Sequence, residues 1–301
     1  MTNQLKGIIP AITSTFTDNG EMDYDSYTNL VQTLIKGGSH GIFLFAIAGE
    51  YYKLTEAEEK RLLTITIENC RKLGAKSVIS VTKHATEVAV RTAQEYEAAG
   101  ADYLVVLPPF FLKPGAGDIV EHLKKVAGAV KIPVIVQYAP EQTGVSIAPN
   151  ILANLANEVE NLKYFKIECK PPGAYISKMM EITNNQANII IGNAGFQMIE
   201  GFERGATGVM PGCSMYDVYL KLYKAIMADN RAEAFAIHSD LNAILNHIRQ
   251  NVEMIICYEK KILKKRGLIA SDYCRKPTFT TDPIYDSMFE EYYQVIAQHF
   301  S

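Results

Sequence analysis

The sequence predicts a (β/α)8 barrel followed by a C-terminal helical extension. Three observations carry this. Eight short apolar or β-branched runs are each bounded by glycine, proline or a polar turn. Longer helical patterns fall between most of them, and no proline-rich linker divides the series, which favours a closed barrel over an open doubly wound sheet. The 301 residues are enough to bury the core of one such barrel.

The candidate strands are 7–12, 41–45, 77–82, 103–107, 134–138, 164–168, 189–192 and 208–210. Their continuous rather than alternating apolar character is that of strands covered on both faces. A helix is expected to open at Thr55, whose hydroxyl caps the first turn while Glu58 completes a capping box. Further helical periodicity runs through 87–99, 119–129 and 151–159. After Gly212 the pattern becomes nearly continuous helix over 216–227, 232–248, 252–263 and 283–299, interrupted by loop signals at Gly267 and 272–277. The expected organisation is a barrel over 1–225 and a helical region over 226–301 packed upon it.

Composition excludes several classes. With 48% hydrophobic and 21% charged residues the chain is neither disordered nor fibrous. A net charge of -3 without a long basic block gives no footprint for nucleic acid. The five cysteines are scattered, odd in number and free of CxxC spacing, as expected for reduced thiols in the cytoplasm rather than for disulfides or zinc. No amino-terminal signal segment and no run of membrane-spanning length is seen, so no membrane partner is expected. The six histidines show no metal-ligand spacing, and no metal or cofactor is called for.

The sharpest chemical signal is Lys166, an amine near the C-terminal end of a short apolar strand. A lysine that loses water there favours its neutral, nucleophilic form, which suits Schiff-base capture of a carbonyl. The same placement also suits a lysine that lays its stem on apolar surface and keeps its charge in water. In a barrel the strand ends converge on one mouth, which brings Tyr138, Glu50 and the Gly192 to Gly195 turn into consideration with Lys166. Tyr138 is a candidate proton relay or a strand-end ring with a wet hydroxyl. Glu168, two residues beyond Lys166, faces the same side by strand period and could orient the amine or lie at the rim. Gly192 and Gly212 could let backbone N–H groups approach a substrate carboxylate or could simply serve turns. Asn193 and Ser214 are candidates for reading substrate hydroxyls or for completing turns.

Taken together, Tyr164-Phe165-Lys166-Ile167-Glu168, the Tyr138-Ala139-Pro140 turn with Thr143-Gly144, the early Gly49-Glu50 and Gly205-Ala206-Thr207-Gly208 resemble the dihydrodipicolinate synthase / N-acetylneuraminate lyase family over nearly the whole chain. The resemblance implies a (β/α)8 barrel, a homotetramer built as a dimer of dimers, and an imine between Lys166 and a 2-oxo acid such as pyruvate, with Tyr138 relaying protons. It also implies that Ala46-Ile47-Ala48-Gly49-Glu50 occupies the place of a loop whose backbone and hydroxyls hold the substrate carboxylate. Ile47 and Ala48 lack those hydroxyls. Phe110 stands where a relay tyrosine is expected, and Gln142 near an arginine that binds the second substrate of dihydrodipicolinate synthases. Phenylalanine relays no proton and glutamine offers no guanidinium fork. The motifs are closer to the branch acting on 2-keto-3-deoxy sugar acids. The expected function is a Schiff-base lyase of a small 2-oxo acid, a dehydratase or aldolase. The alternatives are 4-hydroxy-tetrahydrodipicolinate synthase and a barrel kept as a 2-oxo acid binding protein.

Overall fold

The computed structural model describes residues 4–301. The strands are β1 (Gly7–Ile8), β2 (Gly41–Leu44), β3 (Lys76–Val81), β4 (Tyr103–Val106), β5 (Val134–Tyr138), β6 (Tyr164–Ile167), β7 (Asn188–Ile191) and β8 (Gly208–Val209). Each lies within an expected run or overlaps it to within one residue. With helices between successive strands, this is the element order of a (β/α)8 barrel, the fold class the sequence predicts. Helices Arg231–Ile248, Val252–Lys265 and Pro283–Ala297 form the C-terminal extension.

The chain divides into two compact units. One comprises Lys76–Met210 with the described residues before Gly7, and the other Gly7–Ala75 with Pro211–Ser301. In the first, β3 to β8 pair in chain order and every pairing is parallel. Register places Val105, Ile135 and Tyr164 side by side, so Tyr103, Ile135, Gln137, Tyr164 and Lys166 share one face. The rings of Tyr103 and Tyr164 meet edge-on at 5.5 Å although β5 lies between their strands, so this face is concave. The opposite face carries Leu104, Val106, Val134, Val136, Phe165 and Ile189, all fully buried.

In the second unit β1 is only two residues long, where a run of six is expected. Pro10 supplies no N–H to a ladder. The backbone nevertheless continues beside β2, with Phe43 N–H donating to Pro10 O at 2.9 Å and Ile12 N–H to Phe43 O at 3.0 Å. The helix Glu56–Leu73 opens as expected, with Thr55 Oγ1 accepting from Glu58 N at 3.3 Å and Glu58 Oε2 accepting from Thr55 N at 2.8 Å. Its Leu62, Leu63, Thr66, Ile67 and Cys70 recur at helical spacing and are buried. The helix Tyr24–Lys36 buries Tyr27, Leu30, Val31, Leu34 and Ile35 in the same manner. Among the described residues no helix is long and apolar enough to cross a membrane.

Candidate active site

In the first unit the structure gathers Lys166, Glu168, Gly192 and Asn193, and adds a residue that sequence reasoning missed, Gln137. Lys166 is buried, next to last in β6, and paired in register with Gln137 of β5 and Ile190 of β7. Glu168 follows two residues later. Its N–H still donates to Tyr138 O at 2.8 Å, so the strand period carries over and its carboxylate returns to the lysine side. Lys166 Nζ and Glu168 Oε1 lie 3.2 Å apart. Gln137 Nε2 donates to Glu168 Oε2 at 2.7 Å, and Asn193 N–H to Oε1 at 3.2 Å.

This carboxylate sits where it does because the next strand end makes room. A methyl group on Gly192 would lie 2.0 Å from Glu168 Cγ, so only glycine fits there. Beyond it Asn193 and Ala194 both adopt left-handed backbone, with φ of 46° and 50°, which aims the Asn193 N–H at Glu168. The Asn193 amide also donates to Glu168 O at 2.8 Å, so this side chain fixes Glu168. Burial alone would push the Glu168 carboxyl up. The Lys166 charge, the Gln137 amide and the Asn193 N–H outweigh it, and the carboxyl is held below its ordinary value. The arrangement sets a carboxylate and an amine within proton-transfer distance inside the sheet.

Tyr138 is placed differently. It is in register with Ile167, one step out of phase with Lys166. Its hydroxyl accepts from Ile147 N–H at 3.3 Å, and its ring stacks on Tyr175 at 4.7 Å and 23°. Burial pushes the phenol above its ordinary value. Gln137 could have been found in the sequence as a polar residue inside an apolar strand, but only once the register was known.

Phe110 and Gln142 stand on loops of the same unit. Phe110 is half-buried and meets His84 edge-on at 4.7 Å, while Phe111 beside it is 78% exposed. Gln142 is exposed on the short helix Pro140–Thr143.

The remaining candidates lie in the second unit. Ile47 and Ala48 are half-buried in a turn, Ile47–Gly49, which follows β2. A methyl on Gly49 would lie 2.7 Å from Ile12 O, so this turn packs backbone to backbone. Glu50 is fully buried and left-handed, with φ of 65°. Its carboxylate accepts from Lys260 Nζ, from Lys53 Nζ at 3.2 Å and from Arg275 N–H at 2.8 Å. Lys260 is also fully buried, 210 residues away in sequence, and donates to Tyr273 O at 2.9 Å. Glu50 therefore ties the turn to the 273–275 segment and directs its charge into the protein. Gly212 and Ser214 flank the buried Glu259, whose carboxylate accepts from Ser214 N–H at 3.0 Å and is pushed up by burial. The Ser214 hydroxyl is buried beside the same carboxylate. Among the described residues no three or more histidine, cysteine or acidic side chains come together as a metal site.

Comparison with known proteins agrees with this architecture. The chain matches the dihydrodipicolinate synthetase family over residues 4–296. It is 30% identical over 281 residues to an L-2-keto-3-deoxyarabonate dehydratase of Azospirillum brasilense, an alignment covering 90% of this chain and 88% of that protein. It is 32% identical over 166 residues to a 4-hydroxy-tetrahydrodipicolinate synthase of a Sulfurovum species, covering 55% of this chain and 56% of that one. Its fold superimposes on dihydrodipicolinate synthase of Rhodopseudomonas palustris with a TM-score of 0.90 at 22% identity, covering 98% and 99% of the two chains. For the Aquifex aeolicus dihydrodipicolinate synthase the TM-score is 0.86 at 24% identity, covering 97% of each chain. The chain belongs to the dihydrodipicolinate synthetase family of aldolases and dehydratases.

Proposed function

We propose that this chain is a Schiff-base lyase of a small 2-oxo acid, a 2-keto-3-deoxy sugar acid dehydratase or aldolase. The observation that carries the proposal is the buried Lys166, Glu168 and Gln137 cluster on the concave face of the sheet. Lys166 attacks the 2-oxo carbon after passing a proton to Glu168, and Glu168 gives that proton to the carbinolamine hydroxyl, which leaves as water to give the iminium and restores the carboxylate. The iminium withdraws electrons from C3. Glu168 then removes a C3 proton and returns it to the departing C4 hydroxyl, which leaves as water. In the aldolase variant Glu168 takes the proton of the C4 hydroxyl as the C3–C4 bond breaks, and returns it to C3 of the resulting enamine. Hydrolysis frees the lysine.

In this reading the proton transfers near the imine fall to Glu168, held by Gln137 and Asn193, because Tyr138 is out of phase with Lys166. Phe110 and Gln142 favour sugar acids over aspartate semialdehyde, since neither supplies the phenol or the guanidinium that the synthase reaction is expected to use. The 30% identity to the arabonate dehydratase over most of both chains supports the same branch.

The test is borohydride reduction in the presence of pyruvate and, separately, of 2-keto-3-deoxy sugar acids, with the adduct mapped by peptide mass spectrometry. An adduct on Lys166, absent in Lys166→Ala, is expected, and the released product assigns dehydration or cleavage. Trapping at the normal rate by Lys166→Ala, or efficient turnover of pyruvate with aspartate semialdehyde, overturns the proposal.

A further inference from the structure

The two tyrosines beside β5 grip one residue of the following loop from both sides. Ile147 donates its N–H to the Tyr138 hydroxyl at 3.3 Å, and the Tyr175 hydroxyl donates to Ile147 O at 2.9 Å. The rings stack on one another at 4.7 Å, so the two hydroxyls are held at a fixed separation. Tyr138 closes β5 and Tyr175 lies on the helix Gly173–Ile182, which follows β6. Ile147 is 3% exposed, and its pair of backbone groups would otherwise be buried without acceptor or donor.

The gripped residue ends a segment that is already tightened at its start. Thr143 Oγ1 donates to Ala139 O at 2.9 Å and accepts from Val145 N–H at 3.3 Å. Gly144 turns left-handed with φ of 68° and donates its N–H to Pro140 O at 2.9 Å. Gln142 stands exposed between these restraints, on the four-residue helix Pro140–Thr143. Such a helix is too short to hold its own shape. Apart from an exposed ion pair between Glu141 and Lys170 at 2.9 Å, its position is set by what fixes its two ends, Ala139 at the strand and Ile147 at the tyrosine pair.

We infer that Tyr175, acting with Tyr138 through Ile147, is a positioning residue that sets the 139–147 loop and with it the selection of the distal, hydroxylated end of the substrate. The inference rests on the lyase reading for its substrate class. It assigns Tyr175 no contact with the reacting atoms. A 2-oxo acid with no distal end should therefore be blind to it.

The test uses Tyr175→Phe, which keeps the stacked ring and removes only the hydrogen bond to Ile147 O. Hydrogen exchange of the full chain is expected to rise at least fivefold within 139–148 and to stay unchanged in β6 and β7. The KM for L-2-keto-3-deoxyarabonate is expected to rise at least fivefold with kcat within twofold, while the pyruvate concentration giving half-maximal borohydride trapping on Lys166 stays within twofold. Unchanged exchange in 139–148 overturns the inference, as does an equal loss with pyruvate and the sugar acid. If the wild type traps neither acid, the lyase reading fails while the exchange measurement still decides the clamp. Tyr138→Phe serves as the second arm. It too should raise exchange in 139–148, and failure to do so removes the paired grip.

Discussion

Replacement of Gln137 by leucine keeps a side chain of similar size and deletes one interaction, the 2.7 Å hydrogen bond to Glu168 Oε2. Hydrogen bonds to charged groups contribute about 1.5–3 kcal/mol, and the bond is fully buried. If that energy holds Glu168 for proton transfer, the loss corresponds to a roughly 10- to 150-fold fall in kcat. A second effect has a definite sign. Burial pushes Glu168 up, and Lys166, Gln137 and Asn193 bring it below its ordinary value, so deleting the amide raises it. A base is inactive when protonated, and the acid limb of the kcat/KM profile must therefore move to higher pH. The assay is a pH profile of sugar acid turnover for Gln137→Leu beside Tyr138→Phe. The phenol accepts from Ile147 and stands out of phase with Lys166, so Tyr138→Phe should cost less in kcat and leave the acid limb in place. The reverse order, a large loss in Tyr138→Phe with Gln137→Leu near wild type, would refute the assignment of proton transfer to Glu168.

Two further outcomes follow from packing and charge. Gly192→Ala places a methyl 2.0 Å from Glu168 Cγ, so the folded variant should displace the carboxylate and lose at least tenfold in activity, by roughly the same hydrogen-bond energy; a crystal structure with Glu168 unmoved would contradict this. Glu58 is held at about 2 because Arg275 donates to both of its oxygens, with the Thr55 N–H adding to the effect. A carboxyl lowered on folding contributes stability that is complete above its unfolded value, about 4.3, and is lost as pH falls toward 2. Arg275→Met should therefore lower stability at neutral pH and flatten its decline between these values, read by urea titration at each pH.

The strands were legible because each is a continuous apolar run that only a sheet covered on both faces can bury, and the Thr55 cap because a capping box is local. Glu168 was legible relative to Lys166, since two residues of a strand return to the same side. The Gln137 role was not. A shift of one residue in the pairing of β5 with β6 exchanges Gln137 for Tyr138 opposite the lysine, and nothing within either strand fixes that register. Glu50 was unreadable for a different reason. Its place after a strand suggests the barrel mouth, whereas its charge is matched by Lys260, which the sequence places 210 residues away in an ordinary amphipathic helix. Asn193 was open to reading substrate hydroxyls or completing a turn, and its contacts with Glu168, made through a left-handed backbone, could not be read from sequence.

The Lys166 and Glu168 pair is a poor device for stability, which bears on why the chain carries it. Two charges buried together repay their lost hydration only when geometry and further hydrogen bonds are good, and apolar or neutral substitutes often serve the fold as well. Here the carboxylate has two additional donors, and the pair lies inside a sheet whose buried positions are mostly aliphatic or aromatic. Lys166→Met alone leaves a buried carboxylate without its cation and should destabilise by about 3–5 kcal/mol. Lys166→Met with Glu168→Gln removes both charges but retains an amide oxygen for the Asn193 N–H, so most of that loss should return. A double-mutant cycle in urea measures the coupling directly. Recovery of stability without any recovery of imine trapping separates the two roles, since the fold then tolerates a neutral pair and only the chemistry requires the amine. If the double variant is as unstable as Lys166→Met, the charged pair is needed by the fold, and its burial ceases to be an argument for catalysis.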